Sequence, residues 1–282
     1  MTSDDGAKLG ESGEDFEPDA ARPLAPGVGF AARSTGARDA LIVLGFLAIL
    51  VAGVWASLGP ITGAVVGRVP ASVDESLGEK LGDVQRAAGH PVEDARTAHV
   101  RALVQTEVLP RVTLLAGTSD LRLASPRITV LDDDAVNAFA LPGGEIFVLR
   151  GLLDAPGMSD DVLIGVLAHE LAHASRRHAM RGLVRHNLLR VLAVSLVGGL
   201  DAGTVAFVGQ GLSLGDLAYD RAMESEADEV AGRVLLAAKR PTEPLAKFLE
   251  ELDTMGPAVA LVMNHPPGRA RAERLRAMAL GN

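Results

Sequence analysis

His169-Glu170-Leu171-Ala172-His173 lies in a strongly apolar stretch with helical character, and these five residues decide most of what the sequence predicts. On an α-helix, residues four apart project from one face, so His169 and His173 can contact a single metal ion. Glu170 then lies beside the first ligand, where its carboxylate can reach a water on that metal. This is the His-Glu-x-x-His arrangement of zinc hydrolases.

A catalytic zinc usually has three protein ligands and one open position, so a third ligand must come from elsewhere in the chain. His178 is the nearest candidate and lies nine residues after His169. Metzincins instead require a Gly and then a His at the positions that Arg176 and Ala179 occupy here. The sequence therefore excludes the metzincin class.

A carboxylate on a following helix is the other solution, and Glu224-Ser225-Glu226-Ala227-Asp228 supplies one. Glu224 and Asp228 share a helix face, so Glu224 can complete the zinc shell while Asp228 accepts the free ring N–H of a histidine ligand. Glu226 points elsewhere and is interpreted as a surface charge. Taken alone, such an acidic run would be a solvated helix face.

Composition narrows the possible functions. The chain has 282 residues, of which 48% are hydrophobic but only 3% aromatic, and it has no cysteine. Disulfides and thiolate metal ligands are therefore excluded. The net charge is −9, and the first twenty residues alone carry −6. The remainder is nearly neutral, so the sequence predicts no nucleic-acid partner.

The N-terminal region predicts a membrane anchor. Residues 1–38 are acidic, then rich in Gly, Pro and Ala, and are predicted to be a disordered tail. The run 40–58 is almost wholly apolar, and its nineteen helical residues span roughly 28 Å, close to the hydrocarbon thickness of a bilayer. We therefore assign 39–67 to a single transmembrane anchor with its flank, and 68–282 to the metal-binding domain. A buried core helix is the alternative.

The distribution of basic residues gives the orientation. Three arginines precede the apolar run, and Arg68 and Lys80 follow it. This count favours a cytoplasmic N-terminus, which would place the C-terminal domain on the extracytoplasmic side. A second apolar stretch, 188–217, carries Asp201 near its middle and is therefore predicted to be a buried or membrane-resting helical hairpin rather than a span.

The remaining pattern predicts an α+β fold in which helices dominate and a small sheet lies beside the metal helix. Helices are predicted over 92–115, where Pro110 interrupts or kinks the helix, and over 160–178, 219–239 and a final short segment. Strands are predicted over 127–131, 137–141 and 145–149. Ser159 is a suitable N-cap for the metal helix.

Four motifs together resemble the gluzincin family of membrane-linked metalloproteases that includes the CAAX prenyl protease, the HtpX-type heat-shock protease and the chaperone-protease BepA. They are His169–His173 extended by His178, Glu224–Asp228, Asn137-Ala138-Phe139-Ala140-Leu141-Pro142-Gly143-Gly144, and His265-Pro266-Pro267 followed by Arg271. The match covers about residues 70–280. Ala172 departs from the Gly that many relatives have there, a small-for-small change.

The resemblance implies a zincin-like metalloprotease domain with one Zn²⁺ per chain, held by His169, His173 and Glu224. Glu170 would be the general base that takes a proton from water and passes it to the leaving amine. Asp228 would be an outer partner of the metal ligands, and His178 would be either another outer partner or a structural residue.

The resemblance also implies roles in substrate binding and control. Asn137, Ala138, Phe139 and Ala140 would form an edge strand that pairs with an extended peptide. His265 would assist catalysis or, as in some relatives, approach the metal and hold the enzyme inactive; the alternative is a loop histidine. Arg271 would steady the site or bind substrate, unless it is a surface arginine.

Three functional hypotheses follow. The first is a membrane-anchored zinc metalloendopeptidase in envelope protein quality control, with protein or peptide substrates and membrane contact through residues 40–58. The second is a catalytically silent, membrane-tethered, chaperone-like binding protein, and the intact Glu170 argues against it. The third is a hydrolase of something other than peptides, which the predicted edge strand disfavours. The oligomeric state is not predicted.

Overall fold

The computed structural model describes residues 36–116, 126–197, 221–254, 265 and 268–280. Nearly all of the predicted N-terminal tail and most of the predicted 188–217 hairpin lie outside these ranges. The elements follow in chain order as α1 (Ala37–Arg68), α2 (Ala71–Gly89), β1 (Pro91–Val92), α3 (Ala95–Leu103), a π-helical turn (Val104–Val108), α4 (Leu109–Ala116), β2 (Arg127–Leu131), β3 (Ala138–Ala140), a 3-10 turn (Pro142–Gly144), β4 (Glu145–Leu149), α5 (Arg150–Leu153), α6 (Asp160–Ser175), α7 (His178–Val197), α8 (Arg221–Ala237), α9 (Glu243–Thr254) and α10 (Gly268–Leu280).

The chain divides into two units, Met1–Ala52 and Gly53–Asn282. The first unit contains the N-terminal part of α1, whose apolar side chains are exposed. Within the described ranges, α1 is the one helix long and apolar enough to cross a membrane, with a mean hydropathy of 2.6 in its best 18-residue window. A helix that is apolar all round and yet exposed is typical of a membrane span.

The second unit contains a four-stranded mixed sheet in the order β1-β2-β4-β3. β2 and β4 are parallel, with Arg127 opposite Glu145 and Leu131 opposite Leu149. β1 and β3 pair antiparallel with β2 and β4 and form the two edges. Helices dominate the rest, so the predicted α+β class with predominant helix is confirmed.

Helix α6 passes through the centre of this unit. Its N-cap is Ser159, as predicted, and the serine hydroxyl accepts a hydrogen bond from the Val162 backbone N–H at 3.4 Å. Every residue from Val162 to His173 is buried, because α8, α9 and β3 pack around the helix. The motif on α6 is therefore held by core packing on several sides.

The predicted end of the metal helix is wrong. α6 ends at Ser175, Arg177 has a φ of 54°, and a new helix begins at His178. This left-handed conformation is unfavourable for a non-glycine residue. Its side chain compensates, since Arg177 forms an ion pair with the buried Asp74 and donates hydrogen bonds to the carbonyl oxygens of Val66 and Val69 at 2.7 and 3.1 Å.

The predicted interruption at Pro110 takes a different form. α3 and α4 run on through the π-helical turn at Val104–Val108, which lies just before the proline. A π-turn inserts one extra residue into a helix, and such turns accommodate irregular backbone hydrogen bonding. The helix therefore continues past Pro110, and Val104, Val108 and Val112 remain in the core.

Helix α2 packs directly against the 3-10 turn that follows the edge strand. A Cβ atom built on Gly78 would lie 1.8 Å from the carbonyl oxygen of Pro142. Gly143 in the same turn has a φ of 82°, and a Cβ atom there would lie 2.9 Å from the Cα of Glu75. Glycine at both positions lets α2 approach the backbone that leads out of β3.

We expect Gly78→Ala to lower the free energy of unfolding by about 1–3 kcal/mol, the usual cost of overpacking. At an exposed position in a helix, the same change would raise the free energy of unfolding by up to about 1 kcal/mol. The sign of the change therefore distinguishes a close contact from an open position. Urea denaturation of the purified protein would measure it. Gly67→Ala is the matched control, because a Cβ there meets nothing within 4 Å. Equal stability of the two variants would contradict the close approach of α2.

Candidate metal centre

Three of the predicted ligands meet where α6 packs against α8. The Nε2 atoms of His169 and His173 lie 2.9 Å apart, as expected for histidines one helical turn apart whose rings converge. Glu224 on α8 approaches both, with Oε1 3.3 Å from His173 Nε2 and Oε2 3.6 Å from His169 Nε2. His265, from the loop before α10, joins them: one donor atom from each of the four residues lies within 4.8 Å of the others.

The donor chemistry of this cluster fits one zinc ion. Imidazole nitrogen and carboxylate oxygen are typical zinc ligands, and all four residues are buried. Glu224 Oε2 has no hydrogen-bond partner among the residues that the structure describes. Burial alone would raise the pKa of Glu224, but hydrogen bonds from His173 and His265 outweigh it and hold the pKa well below the ordinary value. The carboxylate is therefore ionised and ready to bind a cation.

Asp228 fixes the orientation of His169. Its Oδ1 lies 3.2 Å from His169 Nδ1, so that nitrogen carries the proton and Nε2 is left to face the cluster. Arg271 in turn donates to Asp228 from Nη2 at 2.8 Å and from Nε at 3.1 Å. Arg271 is only 6% exposed, so it is not a surface arginine, and it contacts Asp228, Glu224 and the ring of His169.

Arg274 also contacts Asp228, at 3.0 Å from Nη2 to Oδ2, and sequence reasoning missed it. It lies three residues after Arg271 and so on the same side of α10, which is the signal that could have found it. Burial would raise the pKa of Asp228, but the hydrogen bond with His169 and the charge of Arg271 outweigh this and lower it.

Glu170 lies between the cluster and the edge strand. It is 1% exposed, and its Oε1 is 3.7 Å from His265 Nε2. Its Oε2 has no hydrogen-bond partner among the described residues. Burial raises the pKa of Glu170, partly offset by His265, by His169 and by a hydrogen bond from the backbone of Ala140. A desolvated carboxylate of raised pKa beside a metal site is suited to accept and return a proton.

The predicted strand 137–141 is observed as β3, Ala138–Ala140, at the edge of the sheet. Backbone hydrogen bonds from Leu141 to Glu145 and from Leu149 to Asn137 set the pairing with β4. Because backbone groups alternate in antiparallel strands, those of Ala138 and Ala140 point away from β4, toward the open edge. Ala140 directs its N–H to Glu170 there.

Glu226 lies outside the metal cluster, as predicted, but it contacts a histidine next to that cluster. Its carboxylate Oε2 lies 3.4 Å from Nε2 of His178, although 43% of the side chain is exposed. His178 is completely buried, and its Nδ1 lies 3.0 Å from Nδ1 of His173. The helix break at Arg177 brings His178 back over His173, and this could not be inferred from a continuous helical pattern.

A family model matches most of the sequence of this domain. The model of Peptidase family M48 covers residues 102–279. The chain belongs to Peptidase family M48. The predicted gluzincin recognition is therefore confirmed, and with it the zinc dependence that characterises the family.

Curated proteins are also similar to parts of the chain. It is 34% identical to mitochondrial metalloendopeptidase OMA1 of Schizosaccharomyces pombe over 63% of this chain and 52% of that protein. It is 31% identical to metalloprotease YcaL of Escherichia coli over 50% and 57%, and 27% identical to the beta-barrel assembly-enhancing protease of E. coli over 60% and 39%. The chain thus spans about half the length of the curated relatives it matches.

We expect the metal-free M48 domain to lose stability as the pH falls from about 6.5 to about 4. Burial is the main factor that lowers the pKa of His178 to about 4, and it lowers that of His173 in the same direction. Below pH 6.5 these histidines are therefore protonated in the unfolded chain but still neutral in the folded chain. The free energy of unfolding then falls by about 1.4 kcal/mol per pH unit for each such histidine.

Urea denaturation of the metal-free protein at several pH values between 7.5 and 4.5 tests this. His178→Gln removes one titrating group and should flatten the dependence. His99→Gln changes an exposed histidine and serves as the control. An unchanged slope in His178→Gln would contradict the neutral state of the buried ring.

Proposed function

We propose that this protein is a membrane-anchored zinc metalloendopeptidase that hydrolyses peptide bonds of protein substrates in membrane protein quality control. The observation that carries the proposal is the position of Glu170, buried beside the His169, His173 and Glu224 cluster and in contact with edge strand β3. A proton acceptor, a metal site and a peptide-binding edge then meet at one point.

The proposed ligands are His169, His173 and Glu224, with one zinc ion per chain. When bound, zinc would polarise the scissile carbonyl and lower the pKa of a water molecule. Glu170 is placed to take a proton from the attacking water and to return it to the leaving amine. The substrate backbone pairs with the open edge of β3 at Ala138, which aligns the scissile bond with Glu170.

His265 and Arg271 have different proposed roles. His265 lies close enough to Glu170 and Glu224 to stabilise developing charge or, as resemblance to some relatives implies, to occupy the metal and hold the enzyme inactive. Arg271 is enclosed behind Asp228, which favours a positioning role through that carboxylate over contact with substrate.

The membrane part of the proposal rests on α1. We assign 39–67 to a single anchor and its flank, and 68–282 to the peptidase domain. The apolar, exposed surface of α1 supports insertion, and the count of basic residues on its two sides supports an extracytoplasmic catalytic domain. Two relatives are named for beta-barrel assembly and for mitochondria, and both names suit an envelope or organelle membrane.

The full chain, purified in detergent, provides the test. We expect about one zinc per chain by elemental analysis, and casein hydrolysis that stops with 1,10-phenanthroline and returns when zinc is restored. Stoichiometric zinc without cleavage of casein or of unfolded membrane proteins would contradict the peptidase and support a tethered binding protein. Absence of zinc after reconstitution would contradict the ligand assignment itself.

A further inference from the structure

His178 is a buried histidine outside the proposed ligand set, and its position depends on the break between α6 and α7. On a continuous helix, a residue five positions after His173 would point about 140° away from it. The left-handed backbone at Arg177 turns the chain, so the ring of His178 lies against the ring of His173 with their centroids 4.9 Å apart. Arg177 is itself fastened by Asp74 and by two carbonyl oxygens at the C-terminal end of α1.

The contact between the two rings defines where their protons lie. His173 directs Nε2 toward Glu224 and His169, so a metal would bind at Nε2 and the proton must sit on Nδ1. Nδ1 of His178 lies 3.0 Å away and must therefore accept that hydrogen bond. The one proton of a neutral His178 is then on Nε2, which faces the carboxylate of Glu226 at 3.4 Å.

The surroundings of His178 suit this arrangement. The ring is completely buried, and its two nitrogens face His173 and Glu226, so a neutral imidazole that accepts at Nδ1 and donates at Nε2 satisfies both contacts. Arg176 lies 4.0 Å from the Glu226 carboxylate on the outer side of this contact.

We propose that His178 and Glu226 form a relay that fixes the tautomer and ring orientation of the zinc ligand His173. The relay rests on the proposed function, since it matters only if His173 holds the metal. His169 is oriented differently, by direct contact with the buried Asp228. The two ligand histidines are thus oriented by two separate sets of contacts. The contact to His169 is buried, and the contacts to His173 end at a partly exposed carboxylate.

The prediction concerns zinc affinity rather than activity. Outer hydrogen-bond partners of ligand histidines typically contribute 10- to 100-fold in metal affinity. His178→Leu, which cannot accept from Nδ1, should weaken zinc binding by about that factor. His178→Gln should restore most of the affinity, because its amide can accept from His173 and donate to Glu226. Glu226→Ala should have a smaller effect than His178→Leu, because it leaves the hydrogen bond between His178 and His173 in place.

The experiment is competition for zinc between the full-length protein in detergent and a chromogenic chelator, with folding checked by circular dichroism in the metal-free state. Glu229→Ala is the matched control. Glu229 lies on the same helix as Glu226, one turn after Ser225, and its carboxylate pairs with Arg233 rather than with His178. Glu226→Ala keeps the test decisive if His178→Leu does not fold, since Glu226 is partly exposed.

Two results would support the relay: a higher zinc affinity in His178→Gln than in His178→Leu, and a lower zinc affinity in Glu226→Ala than in Glu229→Ala. Wild-type affinity in Glu226→Ala, or Gln and Leu equally weak at position 178, would overturn it while leaving the zinc site standing. A wild-type protein that binds no zinc would overturn the proposed function instead, so the two failures are distinguishable.

Discussion

Glu170→Gln is expected to lower the rate of peptide hydrolysis by about 100- to 10,000-fold, the usual contribution of a general acid–base residue. Glutamine has nearly the same shape as glutamate but cannot take a proton from water at neutral pH. Glu170 is buried beside the cluster and does not belong to the proposed ligand set, so the variant should still bind about one zinc per chain.

The measurement is steady-state cleavage of casein by the full-length protein, paired with elemental analysis of the same sample. Glu229→Gln is the control, because it makes the same chemical change at an exposed position on α8. Cleavage near the wild-type rate would mean that another group removes the proton, and His265, 3.7 Å from Glu170, would be the first to examine. Loss of zinc together with activity would instead move Glu170 into the ligand set.

Glu224→Ala is expected to weaken zinc binding by more than the 100-fold that an outer partner contributes, because it removes a direct ligand and the negative charge of the cluster. His173, His265 and Arg271 all lie within 4 Å of this carboxylate. Its loss therefore leaves buried imidazoles and a buried guanidinium with less compensation, so the metal-free protein should also become less stable.

Two readouts separate these effects. Chelator competition gives the zinc affinity, and urea denaturation of the metal-free form gives the stability. Asp228→Asn is an informative companion, because asparagine can still accept the His169 N–H but no longer balances Arg271 and Arg274. We expect Asp228→Asn to bind zinc more tightly than Glu224→Ala. The reverse order would assign the third ligand to Asp228.

Local geometry carried much of the sequence interpretation. The i and i+4 spacing of His169 with His173, and of Glu224 with Asp228, follows from helical periodicity and needs no tertiary information. The Ser159 cap and the strands over 127–131 and 145–149 were predicted for the same reason, since caps and apolar runs act over a few residues. Four such motifs rarely match together by chance, so their joint occurrence made the family recognisable.

The sequence by itself determined the metal motif, the family, the α+β class and the long apolar helix, because each is read from short stretches whose residues are neighbours in the chain. Tertiary structure alone decided which charged side chains meet across helices. It turned Glu226 toward His178, enclosed Arg271 beside Asp228 and placed His265 next to the ligand Glu224. It also ended α6 at Ser175, because Arg177 gains a buried partner in Asp74, 103 residues earlier. Such contacts depend on how distant elements pack, and no local pattern encodes them.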